Sequence, residues 1–176
     1  MMLLAATAVR AQINIGGSIY GGGNEGKTDG NTTVTVYEGD LNEVYGGARM
    51  ADITGNTFVH IDGEHASSYI IINKVYGGND ISGTIGVTTG EQTQNKKRLP
   101  TELTQADANG VTKDWDAFVR VSSKENVETT TDKEGKKTTT AAVYIGQLFG
   151  GGNGEQTVNH PGLALPELGK TYLEIL

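Results

Sequence analysis

The stretch GGGNEGKT at residues 21–28 sets Gly21, Gly26, Lys27 and Thr28 where a phosphate-binding loop has them. In such a loop backbone N–H groups wrap the phosphates, the lysine reaches the terminal ones and the hydroxyl holds magnesium. The loop must also leave a strand and open a helix, whose N-terminus completes the anion site. The residues after Thr28 deny it that helix: Asp29-Gly30-Asn31 reads as a turn, and Thr32-Thr33-Val34-Thr35-Val36 as a β-branched run. Nucleotide binding is therefore only a remote alternative, and the G-x-G-x-x-G at 21, 23 and 26 is discounted with it.

Two further groups have chemistry-bearing side chains. His60-Ile61-Asp62-Gly63-Glu64-His65 gathers two imidazoles and two carboxylates, with His60 and Asp62 on one strand face. Their spacing matches no established ligand signature, so no metal is assigned. Arg49, Asp52 and Asp80 come soon after glycine pairs, and carboxylates beside a cationic base suit cleavage of acidic polysaccharides. No required separation joins the three. The chain has no cysteine, which removes thiolate chemistry and disulfides alike. The expectation is no catalytic residue, no cofactor and no metal.

The elements that carry these residues are set by an internal repeat. Ile19-Tyr20-Gly21-Gly22, Val44-Tyr45-Gly46-Gly47, Val75-Tyr76-Gly77-Gly78 and Leu148-Phe149-Gly150-Gly151 share one pattern of aliphatic, aromatic and two glycines. A strand-like segment comes after each: Gly30-Asn31-Thr32 leads to Val34 and Val36, Gly55-Asn56-Thr57 to Val59 and Ile61, and Gly169-Lys170-Thr171 to Leu173 and Ile175. Gly86 keeps the offset from Gly77, but its strand is interrupted, and FVRVSS at 118–123 completes it. One unit takes roughly 25 to 30 residues, the size of one solenoid coil. Within the strands Val34 and Val36, or Val59 and Ile61, point one way, and Thr33, Thr35, Phe58 and His60 the other. The fold expected is all-β, a parallel β-solenoid, with a right-handed β-helix as its expected form. The glycines make its corners, through positive φ or close backbone approach.

Composition agrees. Glycine is 26 of 176 residues and proline 3, so the chain is rich in turns yet not collagen-like. Hydrophobic residues make up 36% and aromatics 6%, which suits a thin core of short strands. A net charge of -7 argues against nucleic acid as a partner. The start, MMLLAATAV, is an apolar run too short to span a bilayer, and Val9-Arg10-Ala11 offers a signal-peptidase site before Gln12. Residues 1–11 are accordingly read as an export signal, and no transmembrane segment is expected. Residues 12–88 are read as solenoid coils, 89–117 as a polar insertion, 118–147 as a strand and protruding hairpin, and 148–176 as a further, incomplete coil. That last coil could serve end-to-end contact.

The blocks with the form VYGGGN, alternating with GNTxVxI strands, resemble a repeat of secreted or surface-exposed proteins of the Bacteroidetes type, mostly without assigned activity. The resemblance implies a surface structural or adhesion role without a catalytic set, at the cell surface or outer membrane. From the residues themselves, the aromatic series Tyr20, Tyr45, Tyr76 and Phe149 is the candidate ligand-binding stripe. Alternation turns it outward, where it could hold glycans or other surface proteins, or serve only as a stacking ladder. The alternative from another class is a carbohydrate-active enzyme, a polysaccharide lyase or glycosidase, on a β-helix scaffold.

Overall fold

Valine, isoleucine and threonine carry stiff β-branched side chains that suit a pleated surface. Their runs become strands in a computed structural model of the chain, which describes residues 13–66, 69–86, 115–124, 129–131, 135, 137–139, 143–154, 162 and 165–176. The regular elements among these are all strands: β1 (Asn14–Tyr20), β2 (Thr32–Val36), β3 (Gly39–Tyr45), β4 (Thr57–Gly63), β5 (Ile70–Tyr76), β6 (Thr84–Ile85), β7 (Ala117–Ser123), β8 (Thr129–Thr131), β9 (Lys137–Thr139), β10 (Val143–Phe149), β11 (Glu167–Leu168) and β12 (Thr171–Ile175). The export signal read at 1–11, and the insertion read at 89–117 up to residue 114, lie outside the described residues.

The fold is all-β, with parallel sheets. One four-stranded sheet has the order β1-β3-β5-β10, a second the order β12-β7-β4-β2, and every pair within them is parallel. Parallel neighbours cannot be joined by a tight hairpin. The chain meets that constraint by passing from one sheet to the other and back, so that β2 separates β1 from β3 and β4 separates β3 from β5. Strands β6 and β11 make a short third sheet, and the bridges Thr28–Ile53 and Ile53–Ile85 prolong it. Strands β8 and β9 are antiparallel, with Thr129 opposite Thr139, and Gly135 between them has a φ of 80°.

Register converts the repeat into columns. Ile19, Val44, Val75 and Leu148 lie side by side in the first sheet, and Val34, Val59, Val119 and Leu173 in the second. These columns meet in one core, where Val44, Val59, Val75 and Val119 are fully buried. Burying one such side chain is worth about 1.5–3 kcal/mol.

The polar residues of the repeat join its layers. Thr32 Oγ1 donates to the Gly46 carbonyl and Thr57 Oγ1 to that of Gly77. Asn31 Oδ1 accepts from the Asn56 N–H at 2.9 Å, and Asp116 Oδ2 from the Lys170 N–H at 2.7 Å. Of the two reasons expected for the glycine pairs, positive φ applies to none of them and close approach to all but Gly151. A Cβ on Gly46 would run into the Gly77 carbonyl oxygen and lie 2.9 Å from Val59 Cγ2.

Candidate functional site

The residue before each glycine pair closes a strand just where the chain turns. Its ring lies on the face opposite the core, since Tyr45 Oη reaches Glu43 two residues back, and that face is covered. Val44 and Tyr45 are both buried, as are Val75 and Tyr76, with Tyr45 at 1% and Tyr76 at 5% exposure. The series Tyr20, Tyr45, Tyr76 and Phe149, expected as an open stripe, is a stack whose two middle rings are covered by neighbours on both sides. Centroids lie 5.0, 4.8 and 4.8 Å apart along it, with planes within 14° of parallel. Only the end rings keep open area, Phe149 at 41%.

Polar groups hold the rims of these rings. Tyr20 Oη donates to Asp80 Oδ2 at 2.8 Å, and Asn153 Nδ2 to Asp80 Oδ1 at 3.0 Å. Tyr45 Oη donates to Glu43 Oε2 at 3.3 Å, and Ser18 Oγ to the same oxygen at 2.9 Å. Burial raises the Tyr45 phenol far above its usual value, and the negative charges of Asp80 and Glu43 add to it. Tyr20 is raised by burial and by its bond to Asp80. A phenol held this firmly in its neutral form is a hydrogen-bond donor, not a base.

Of the other acid–base candidates, each binds a separate partner. Arg49 Nη1 donates to Asn24 Oδ1 at 3.2 Å, and Asp52 Oδ1 accepts from the Thr84 N–H and hydroxyl at 2.9 and 3.0 Å. With Asp80 they tie one repeat to the next. Lys27 Nζ lies 3.6 Å from Asp29 with both side chains in solvent. Thr28 bridges to Ile53 and the chain enters β2, so GGGNEGKT opens no helix.

The outer face of the second sheet contains a cluster that the repeated blocks do not announce. Register places Thr33, Phe58, Phe118 and Tyr172 in one column and Thr35, His60, Arg120 and Glu174 in the next. Trp115 stacks on Tyr172 at 4.1 Å and packs against Phe118 at 4.9 Å. Phe58 and Phe118 are buried although they point away from the main core. Trp115 ends the segment read as a polar insertion. The signal for its role lies in the outer positions of FVRVSS, set beside those of the strands at 57–63 and 171–175.

His60 Nε2 is 3.1 Å from Ser122 Oγ. Burial lowers the His60 imidazole below its usual value and Arg120 adds to that, while Asp62 opposes it. Asp62 is buried, which works against its ionisation, yet the side chain and backbone of His65 hold its carboxyl below the usual range. Asp62, Glu64 and His65 bring one donor each within 4.8 Å of one another, but the Asp62 carboxylate is engaged by His65 Nδ1 at 2.8 and 3.0 Å. Ser122 is itself buried, so its hydroxyl pairs with His60 out of reach of a substrate.

On the outer face of the first sheet, a groove of about 520 Å³ crosses β1, β3, β5 and β10 between two rows of side chains. No helix among the described residues is long and apolar enough to cross a membrane. No protein-family model, curated protein or solved structure matches the chain.

Proposed function

We propose that the chain is an exported, non-catalytic module of a cell surface, structural or adhesive in role, and that its repeats wind as a parallel β-solenoid. One observation carries the reading: the residues that recur in the sequence are consumed in joining repeat to repeat. The tyrosines stack and the threonines donate to glycine carbonyls; Arg49, Asp52 and Asp80, which do not recur, bind neighbouring repeats as well. A repeat that serves cohesion yields a stiff body of adjustable length, which is what a surface spacer or adhesin needs. The resemblance of the VYGGGN and GNTxVxI blocks to surface-exposed repeat proteins points the same way.

Export is tested by expressing the chain from residue 1 in a secreting host and measuring the mass of the recovered protein. The expected product begins at Gln12 and is reached by protease added to intact cells. An uncut chain confined to the cytoplasm would end the surface reading.

A further inference from the structure

We infer that the groove on the outer face of the first sheet is a binding site for a neutral glycan chain, lying across the strands. This deepens the adhesive reading above and rests on it. One wall is the column Asp40, Ile71 and Tyr144, the other is formed by Asn42 and Asn73. Ile71 and Tyr144 are 36% and 47% exposed.

The floor decides what kind of polymer fits. Leu41 and Ile72 line the groove although their side chains are buried in the core, so they offer it their main chain. That main chain is paired to its neighbours, Leu41 with Ile72 and Ile72 with Ile145. A peptide strand that sought backbone hydrogen bonds would find the ladder already occupied. A ligand here must be held by side chains.

Those side chains are suited to hydroxyl groups. Each asparagine amide donates and accepts, as a sugar hydroxyl does, and Asn73 Nδ2 donates to Asn42 Oδ1 at 3.3 Å in an exposed pair that a hydroxyl can enter. Tyr144 and Ile71 supply an apolar surface for the C–H face of a pyranose ring. No lysine or arginine is among the described residues lining the groove, and Asp40 sits in its wall. With a chain charge of -7, an anionic polymer is repelled. Strands repeat about every 4.8 Å across the groove, close to the advance of one sugar in an extended chain, so successive sugars meet successive strands.

The test is a panel of neutral glycans beside anionic polysaccharides, probed with the full chain and with Tyr144→Ala and Asn73→Ala. Tyr37→Ala, at an exposed tyrosine outside the groove, is the control. The expected result is retention on neutral glycans alone, at least about tenfold weaker in both groove variants, unchanged in the control, with thermal midpoints preserved. Binding that survives both groove substitutions, a preference for anionic polymers, or no glycan binding by the folded chain would each overturn the assignment. Retention on a glycan-free protein matrix separates the two readings: a chain that adheres there and ignores glycans keeps the adhesive role and loses this site.

Discussion

At the scale of single residues, the glycine pairs up to Gly78 are selected for space. A methyl group at Gly46 has no room between the Gly77 carbonyl and Val59, whereas at Gly151 nothing lies within 4 Å of the added carbon. Gly46→Ala should therefore cost about 1–3 kcal/mol, as overpacking does, and Gly151→Ala should stay within about 0.5 kcal/mol. Urea midpoints measure both, and equal effects would mean that the pairs are kept for another reason. The phenols of the stack give a second prediction. Because Tyr20 and Tyr45 are raised from 10.0 in the folded chain, the folded state holds their protons more tightly than the unfolded state does. The stability they contribute is whole below pH 10.0 and drains away as pH rises beyond it. Tyrosinate absorbance tracked with circular dichroism should show these two rings ionising only as the strands melt, and Tyr45→Phe should reduce the alkaline loss. Ionisation of all seven tyrosines before any unfolding would contradict the buried stack.

At the scale of elements, buried polar side chains matter as much as the apolar columns. Asn79 is fully buried; its Oδ1 accepts from the Ala48 N–H at 2.7 Å and its Nδ2 donates to the Ala51 carbonyl at 3.0 Å. Asn79→Ala strands both backbone groups, at about 1–3 kcal/mol each, and should lower the unfolding midpoint far more than Asn42→Ala on the exposed face. Similar losses would show that water takes over the bonds of Asn79. The strands were legible in the sequence because each repeat restates the register: GNT runs at 30–32 and 55–57 pair residue for residue at their threonines and beyond. Two things were not legible. Period-two alternation assigns a face and does not say what covers it, so it could not foresee Tyr45 buried in a ring stack on the face opposite Val44. Nor could composition show that Trp115, at the end of a polar stretch, packs on Phe118 and Tyr172. The groove escaped for a related reason: one of its walls is made of residues that vary from repeat to repeat, Asp40, Ile71 and Tyr144 in one column, and similarity between repeats carries no trace of them.

At the scale of the whole molecule, the two sheets end at one side in β10 and β12. Leu173 and Ile175 are 41% and 69% exposed there, while Val119 and Val121, one strand inward in the same columns, are 0% and 7% exposed. Side chains that build the core elsewhere face solvent on this edge, where β12 is the last strand of its sheet among the described residues. The proposed end-to-end contact uses that edge. Its natural complement is the opposite edge of a second copy, because Ile19 and Tyr20 on β1 occupy the same columns as Leu148 and Phe149 on β10. Such a contact joins different surfaces of the two copies, so each added copy offers a further edge to the next. Sedimentation velocity across a dilution series should show association that grows with concentration, and Ile175→Asp, which sets a charge in the exposed column, should reduce it without shifting the unfolding free energy by more than about 0.5 kcal/mol. A chain that sediments as a monomer at every concentration would refute the contact, and so would one whose association ignores Ile175.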